Sequence, residues 1–437
     1  MKKIAAAVAL MGLSATALAT DGYFAHGYGM TAKGMGGAAT AMTKDTFGGA
    51  NNPATMVWAG TRLDVGLEWF SPQRSASREG SAAGFALNGS ADSGSTNFFI
   101  PEFGYNRMLN PNMSVGITVY GNGGMNTDYS GGQIRAASAC AGFNPGRPSY
   151  NLLCGNDKLG IDMMQLVIAP TFSMKIAGNH SFGISPLFGY QRFKAEGLEG
   201  FAGFSSSAAN LTGKGYDSAH GWGLRLGWLS KITDSFAVGA AYSTKVRMSK
   251  FDKYSGLFAQ QGDFDMPENL NIGISFKATP SVTIAADYQR INYGGVKSVS
   301  NLSDFGLGFA GVPNSLGGEN GRGFGWSSVD VFKLGVEYQY NANLTLRAGY
   351  NHTDNPIQSR DVTFNIIAPG VVKDHLTLGG TYKLSKDSEL TVAYMHAFSN
   401  SVTGASLYNK FLPGPAGQET IKMHQNSLGV AYGVKFD

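Results

Sequence analysis

Leu63, Val65, Leu67 and Trp69 alternate with Asp64, Gly66 and Glu68, and this period of two returns along most of the chain. Leu224, Leu226 and Trp228 alternate with Gly223, Arg225 and Gly227, and Leu428, Val430, Tyr432, Val434 and Phe436 with Gly429, Ala431, Gly433 and Lys435. Successive side chains of a strand point to opposite faces, so each stretch reads as a strand with one apolar face and one small or polar face. Beyond the N-terminus no run approaches the roughly 20 apolar residues that a membrane-crossing helix needs. Yet only 15% of residues are charged, against roughly 25% in ordinary globular proteins, which is a surface poorly suited to water. A sheet that crosses a bilayer must close on itself, because unpaired backbone groups cost too much in hydrocarbon and closure leaves no edge. The fold class is therefore all-β, an antiparallel transmembrane β-barrel.

Strand-like segments fall at 62–70, 97–107, 113–122, 162–176, 181–194, 220–232, 236–251, 267–278, 282–291, 329–340, 344–352, 374–384, 389–398 and 424–436, fourteen in all. Tight connections near Asn110-Pro111, Gly178-Asn179, Thr233-Asp234, Thr279-Pro280, Asn341-Ala342 and Lys386-Asp387 separate long ones, giving six short turns and seven long loops. That alternation is expected of an even-stranded outer-membrane barrel with both termini in the periplasm. Trp69, Tyr105, Tyr120, Trp222 and Tyr293 near strand ends suit the two aromatic girdles, although β-propensity alone would also place them there.

The chain opens on a secretory signal over residues 1–19, with Met1-Lys2-Lys3, an apolar core from Ile4 to Leu13 and an Ala17-Leu18-Ala19 cleavage site. Export and the barrel pattern together place the protein in a bacterial outer membrane. Without Lys2 and Lys3 the 34 basic residues become 32 against 30 acidic ones, a balance that offers nothing to nucleic acid. About forty residues, rich in Gly and Ala and poor in charge, then precede the first strand. A periplasmic linker would be more polar, so this composition suits a compact plug inside the barrel. The expected organisation is signal 1–19, N-terminal plug 20–61 and barrel 62–437.

Cys140 and Cys154 share one predicted external loop of an exported chain with no other cysteine, so a disulfide is expected. Two cysteines without neighbouring His spacing make no metal site. The seven histidines are scattered, and neither H-E-x-x-H nor G-x-S-x-G occurs. Neither enzymatic activity nor a cofactor is expected. Phe201, Phe204, Leu257, Phe258, Phe305, Leu307 and Phe309 form apolar patches on long loops, which either cap the barrel mouth or collect hydrophobic solutes.

Gly27-Tyr28-Gly29, Lys33-Gly34-Met35-Gly36-Gly37-Ala38 and Asn51-Asn52-Pro53-Ala54 resemble the N-terminal hatch of the FadL/TodX family of outer-membrane transporters for long-chain fatty acids and hydrocarbons. Met266-Pro267-Glu268, Leu346-Arg347-Ala348-Gly349-Tyr350 and Asp354-Asn355-Pro356-Ile357 extend the likeness over the mature chain. The resemblance implies a fourteen-stranded barrel plugged by its hatch, with a kinked third strand opening sideways into the lipid. It implies transport of long-chain fatty acids or similar hydrophobic compounds, by a monomer among outer-membrane lipid and lipopolysaccharide. A general diffusion porin for polar solutes and an aromatic hydrocarbon channel are the alternatives. By the same likeness Asn52, Pro53 and Ala54 would hold the hatch against the kinked strand. Gly116 is the candidate kink, and Arg192 and Lys297 are candidates for a carboxylate head group, each otherwise a basic residue near the lipopolysaccharide surface. A greasy solute gains roughly 25 cal/mol per Å² by staying out of water, so it needs an apolar relay and not an aqueous pore.

Overall fold

The computed structural model describes residues 21–42, 44–82, 86–303 and 313–436; the expected signal peptide, Phe305, Leu307 and Phe309 lie outside them. Fourteen strands form the wall: β1 Arg62–Glu79, β2 Phe98–Asn110, β3 Met113–Asn126, β4 Gly160–Ile176, β5 His180–Glu196, β6 Asp217–Lys231 and β7 Phe236–Ser243. They continue with β8 Asn269–Lys277, β9 Val282–Ile291, β10 Val329–Gln339, β11 Leu344–Thr353, β12 Asp374–Lys383, β13 Ser388–Ala405 and β14 Gln418–Lys435. Each strand pairs antiparallel with the next, and β14 pairs with β1, so the sheet is closed. No described helix is long and apolar enough to cross a membrane.

The six tight turns occupy one end and the seven long loops the other, as the spacing predicts. Three strands run further than their alternation suggests: β1, β13 and β14 have 18 residues each, and their outer ends join the loops. β7 is shorter than expected. The alternation reaches residue 251, but after Ser243 the chain leaves the ladder, and only Arg247–Met248 rejoin β6.

Burial follows the alternation. Val65, Leu67 and Trp69 face outward while Asp64 and Glu68 are buried inside. Of the expected girdle residues, Trp69 and Trp222 are exposed outside, whereas Tyr120 and Tyr293 are buried. Tyr293 follows β9 and packs at a tilt against Tyr23 and edge-to-face against Trp326, so its strand-end position did not determine its face. Phe201, Phe204, Leu257 and Phe258 are likewise buried, in the dome made by the long loops.

The small inner face has a packing reason. Gly183 and Gly227 are cross-strand partners, as are Gly239 and Gly273, and Gly335 and Gly349. A Cβ would stand 2.2 Å from the Pro53 carbonyl carbon on Gly183, 2.3 Å from the Thr40 oxygen on Gly239, and 2.1 Å from the Gly36 nitrogen on Gly349. These pairs leave bays in the wall that admit backbone, where any side chain would collide.

Candidate functional site

The described residues of 21–42 and 44–60 pack against the inner face of the wall, fixed by the inward polar side chains of its strands. Lys33 is buried between Glu68 of β1 and Glu102 of β2, bonded to the first and 3.7 Å from the second. Asp64 accepts from the Thr46 amide at 3.0 Å and its hydroxyl at 2.7 Å. Asp287 on β9 accepts from the amides of Ala39 and Thr40 at 2.8 and 2.9 Å. Burying a carboxylate is costly unless donors surround it, and here the segment's own backbone supplies them. Asn52 accepts from the Ala54 amide at 3.0 Å and caps the 3₁₀ turn Pro53–Thr55. Its amide donates to Thr40 O at 2.8 Å and to Trp228 O on β6 at 3.0 Å.

The barrel wall is interrupted between β2 and β3. Pairing between β2 and β3 ends at Phe103–Val119, so Phe98–Glu102 pair only with β1. Pro101, which has no N–H to offer a ladder, stands in this unpaired stretch. On its other side β3 carries one extra residue: the register with β4 shifts between Gly121 and Gly123, leaving Asn122 as a bulge. Nearly every residue of β3 from Thr118 onward is buried. The N-terminal segment replaces the missing neighbour: Phe24 bridges Gly123, the Gly124 amide donates to Tyr23 O at 3.1 Å and the Ala25 amide to Asn122 O at 3.2 Å. Tyr28 secures the bulge by donating toward the Asn122 carbonyl and side-chain oxygens at 3.1 and 3.2 Å.

Above this break Tyr23, Phe264, Tyr293, Phe324 and Trp326 form an aromatic cluster that runs up into the loops. Arg74 of β1 reaches across the break, donating to Asn126 O at the end of β3 and to Ser95 O, with its guanidinium 5.7 Å from the Phe98 ring. Its Nε has no partner, and no described carboxylate pairs with it. Arg74, Met125, Trp326, Pro369 and Met423 line a small cavity of about 10 Å³, room for roughly one water.

A family profile described as outer membrane protein transport protein (OMPP1/FadL/TodX) matches residues 154–436. The chain belongs to this family. It is an outer-membrane β-barrel of the FadL/TodX transporters of hydrophobic compounds, and the family is one of transport proteins. Its fold matches the Pseudomonas putida toluene transporter TodX at TM-score 0.67 and 20% identity, covering 94% of this chain and 99% of the other. It also matches a Pseudomonas aeruginosa FadL homologue at 0.67 and 14%, covering 95% and 100%. The Ralstonia pickettii toluene transporter TbuX matches at 0.62 and 18%, covering 94% and 99%. No curated protein shows a significant sequence match.

Within this FadL/TodX chain the expected site residues are dispersed. Asn52, Pro53 and Ala54 dock on β4, β5 and β6 and not on the third strand: the Ser181 hydroxyl donates to Ala54 O at 2.8 Å, and the proline needs the bay that Gly183 and Gly227 provide. Gly116 is no kink, because its register is unbroken on both sides. Its lack of a side chain makes room for Met56, whose methyl would lie 2.6 Å from a Cβ there. The irregularity falls six residues later, at Asn122. Arg192 points outward, since the inward positions of β5 are Gln191 and Phe193, and its guanidinium sits 4.1 Å from the Tyr216 ring centre. Lys297 lies on the outer loops, held by Asn320 at 3.1 Å and Glu319 at 3.6 Å. Cys140 and Cys154 are bonded to each other inside the loop dome. Arg74 lies past the 62–70 segment that the alternation marks, and nothing in the sequence sets it apart from Arg62 and Arg78 of the same strand.

Proposed function

We propose that the chain carries long-chain fatty acids, or apolar molecules with one anionic group, from the loop dome to the break between β2 and β3 and releases them sideways into the membrane. Residues 20–61 act as the hatch and 62–437 as the barrel, working as a monomer without catalysis. The observation that carries this reading is the β2–β3 ladder ending at Phe103–Val119 with Tyr23–Ala25 in the vacated place. Those few main-chain bonds are each worth about 1 kcal/mol net, so a ligand entering the cluster can displace them without disturbing the wall.

Arg74 supports the anionic end. It is buried beside that break, without a carboxylate and next to apolar Met125, Trp326 and Met423, an environment that a carboxylate on an alkyl chain would complete. The cavity holds about one water, so seating a ligand requires the N-terminal segment or the loops to move. The cluster of Tyr23, Tyr293, Phe264 and Trp326 favours a second reading, uptake of uncharged aromatic compounds.

Uptake of labelled oleate and of labelled toluene by cells expressing the protein separates the two. The fatty-acid reading expects faster oleate entry than in cells lacking the protein, reduced about tenfold by Arg74→Ala with toluene unaffected. Equal oleate uptake with and without the protein would defeat it.

A further inference from the structure

The outward face of β5 and β6 carries a sharp boundary. Phe182, Ile184, Pro186, Phe188 and Tyr190 are exposed at successive outward positions of β5. The eight residue steps from Phe182 to Tyr190 span about 26 Å along the strand, which at a tilt of roughly 40° covers about 20 Å of the roughly 25 Å apolar band of an outer-membrane barrel. Arg192 is the next outward position, and Lys194 the one after. On β6 Trp222, 69% exposed, pairs with Phe188 of β5 on one side and with Arg247, from the segment that folds back after β7, on the other.

Above this belt cations gather around Tyr216, and the two arginines among them are without a described acidic partner. Arg192 lies 4.1 Å and Lys194 5.4 Å from the ring centre of Tyr216, and Lys253 donates to Tyr216 O at 2.7 Å. The Tyr216 hydroxyl donates to Asp162, and Lys194 is 3.5 Å from Glu196. Arg192 and Arg247 have no carboxylate within ion-pair distance among the described residues. Elsewhere on the rim Arg290 is matched by Asp330 at 2.9 Å. Stacking on Tyr216 fixes the plane of the Arg192 guanidinium while leaving donors for a ligand.

We propose that Arg192, Lys194 and Arg247, with Tyr216 and Trp222, bind the phosphorylated disaccharide headgroup of the outer-leaflet glycolipid, lipid A. The phosphates of that leaflet lie just outside the hydrocarbon boundary that Tyr190 marks on β5, and a guanidinium pairs with phosphate through two parallel bonds. The inference rests on the outer-membrane location and is independent of what the lumen transports.

Native mass spectrometry of the full-length protein in mild detergent, titrated with bisphosphorylated lipid A, tests it. Expected is a one-to-one adduct that Arg192→Glu/Arg247→Glu weakens at least tenfold, while Lys422→Glu on β14 leaves it unchanged. Dephosphorylated lipid A and phosphatidylglycerol should bind at least tenfold more weakly. Arg192→Ala/Arg247→Ala, checked for folding by heat-modifiable gel mobility, covers the case in which the charge-reversed pair fails to assemble. Undiminished binding in the folded alanine pair, or equal retention of phosphatidylglycerol, would overturn the proposal.

Discussion

Arg78 and Glu419 form an ion pair with both side chains fully buried, the Arg78 Nε donating to a Glu419 oxygen at 2.7 Å. Arg78 also donates to Leu87 O at 3.2 Å and Leu152 O at 2.8 Å, and Glu419 accepts from the hydroxyls of Thr363 and Ser406. One pair thereby ties the outer ends of β1 and β14 to four long loops. Removing one partner strands a buried charge, so Arg78→Ala or Glu419→Ala should each cost about 3–5 kcal/mol, whereas an apolar replacement of both should cost far less. Protease resistance of the loops during thermal denaturation reads the difference; a double apolar variant as fragile as the singles would contradict it.

Asn52→Ala should free the N-terminal segment from β6. It removes a cap worth about 1 kcal/mol and the side-chain amide's bonds to Thr40 O and to Trp228 O of the wall, worth about 1 kcal/mol each. Faster hydrogen exchange over residues 40–56, with the strand amides unchanged, is the expected result.

The barrel was legible in the sequence because a closed sheet forces strict alternation, and Leu63 to Trp69 obey it. The wall carboxylates Asp64 and Glu68 were visible on the opposite face, and the structure gives them partners in Thr46 and Lys33. What the alternation cannot show is which neighbour a strand loses. The break at Phe103–Val119 depends on long-range register, and its local signs, Pro101 and the Gly121-Asn122-Gly123 run, look like ordinary turn or strand punctuation. Parity also decides Arg192: counting from Phe188 places it outside, against the role that the family likeness suggested.

Gly123→Val should unseat the N-terminal strand. A Cβ at Gly123 would stand 1.8 Å from Tyr23 O, a collision only backbone movement can relieve. The amides of Ala25 and Gly124 should then exchange many times faster; unchanged protection would mean that Tyr23–Ala25 are held by other contacts.

The loop containing Asp263 should loosen as pH rises. Burial, with repulsion from Asp265 second, raises its carboxyl from 3.8 to about 6. The folded loop therefore binds this proton more tightly than the unfolded chain, and the contribution of Asp263 to loop stability declines from about pH 4 to 6 and stays low above. Hydrogen exchange of residues 249–265, corrected for intrinsic rates, should show more protection at pH 5 than at pH 7.5. Asp263→Asn should remove most of that difference.

Planar-bilayer conductance of the full-length protein and of a variant lacking residues 21–60 tests most directly whether the chain's own beginning seals the bore. The intact protein should pass almost no steady current and the truncated one a large ohmic current. A steady open-pore current through the intact protein, equal to that of the truncated form, would contradict the account.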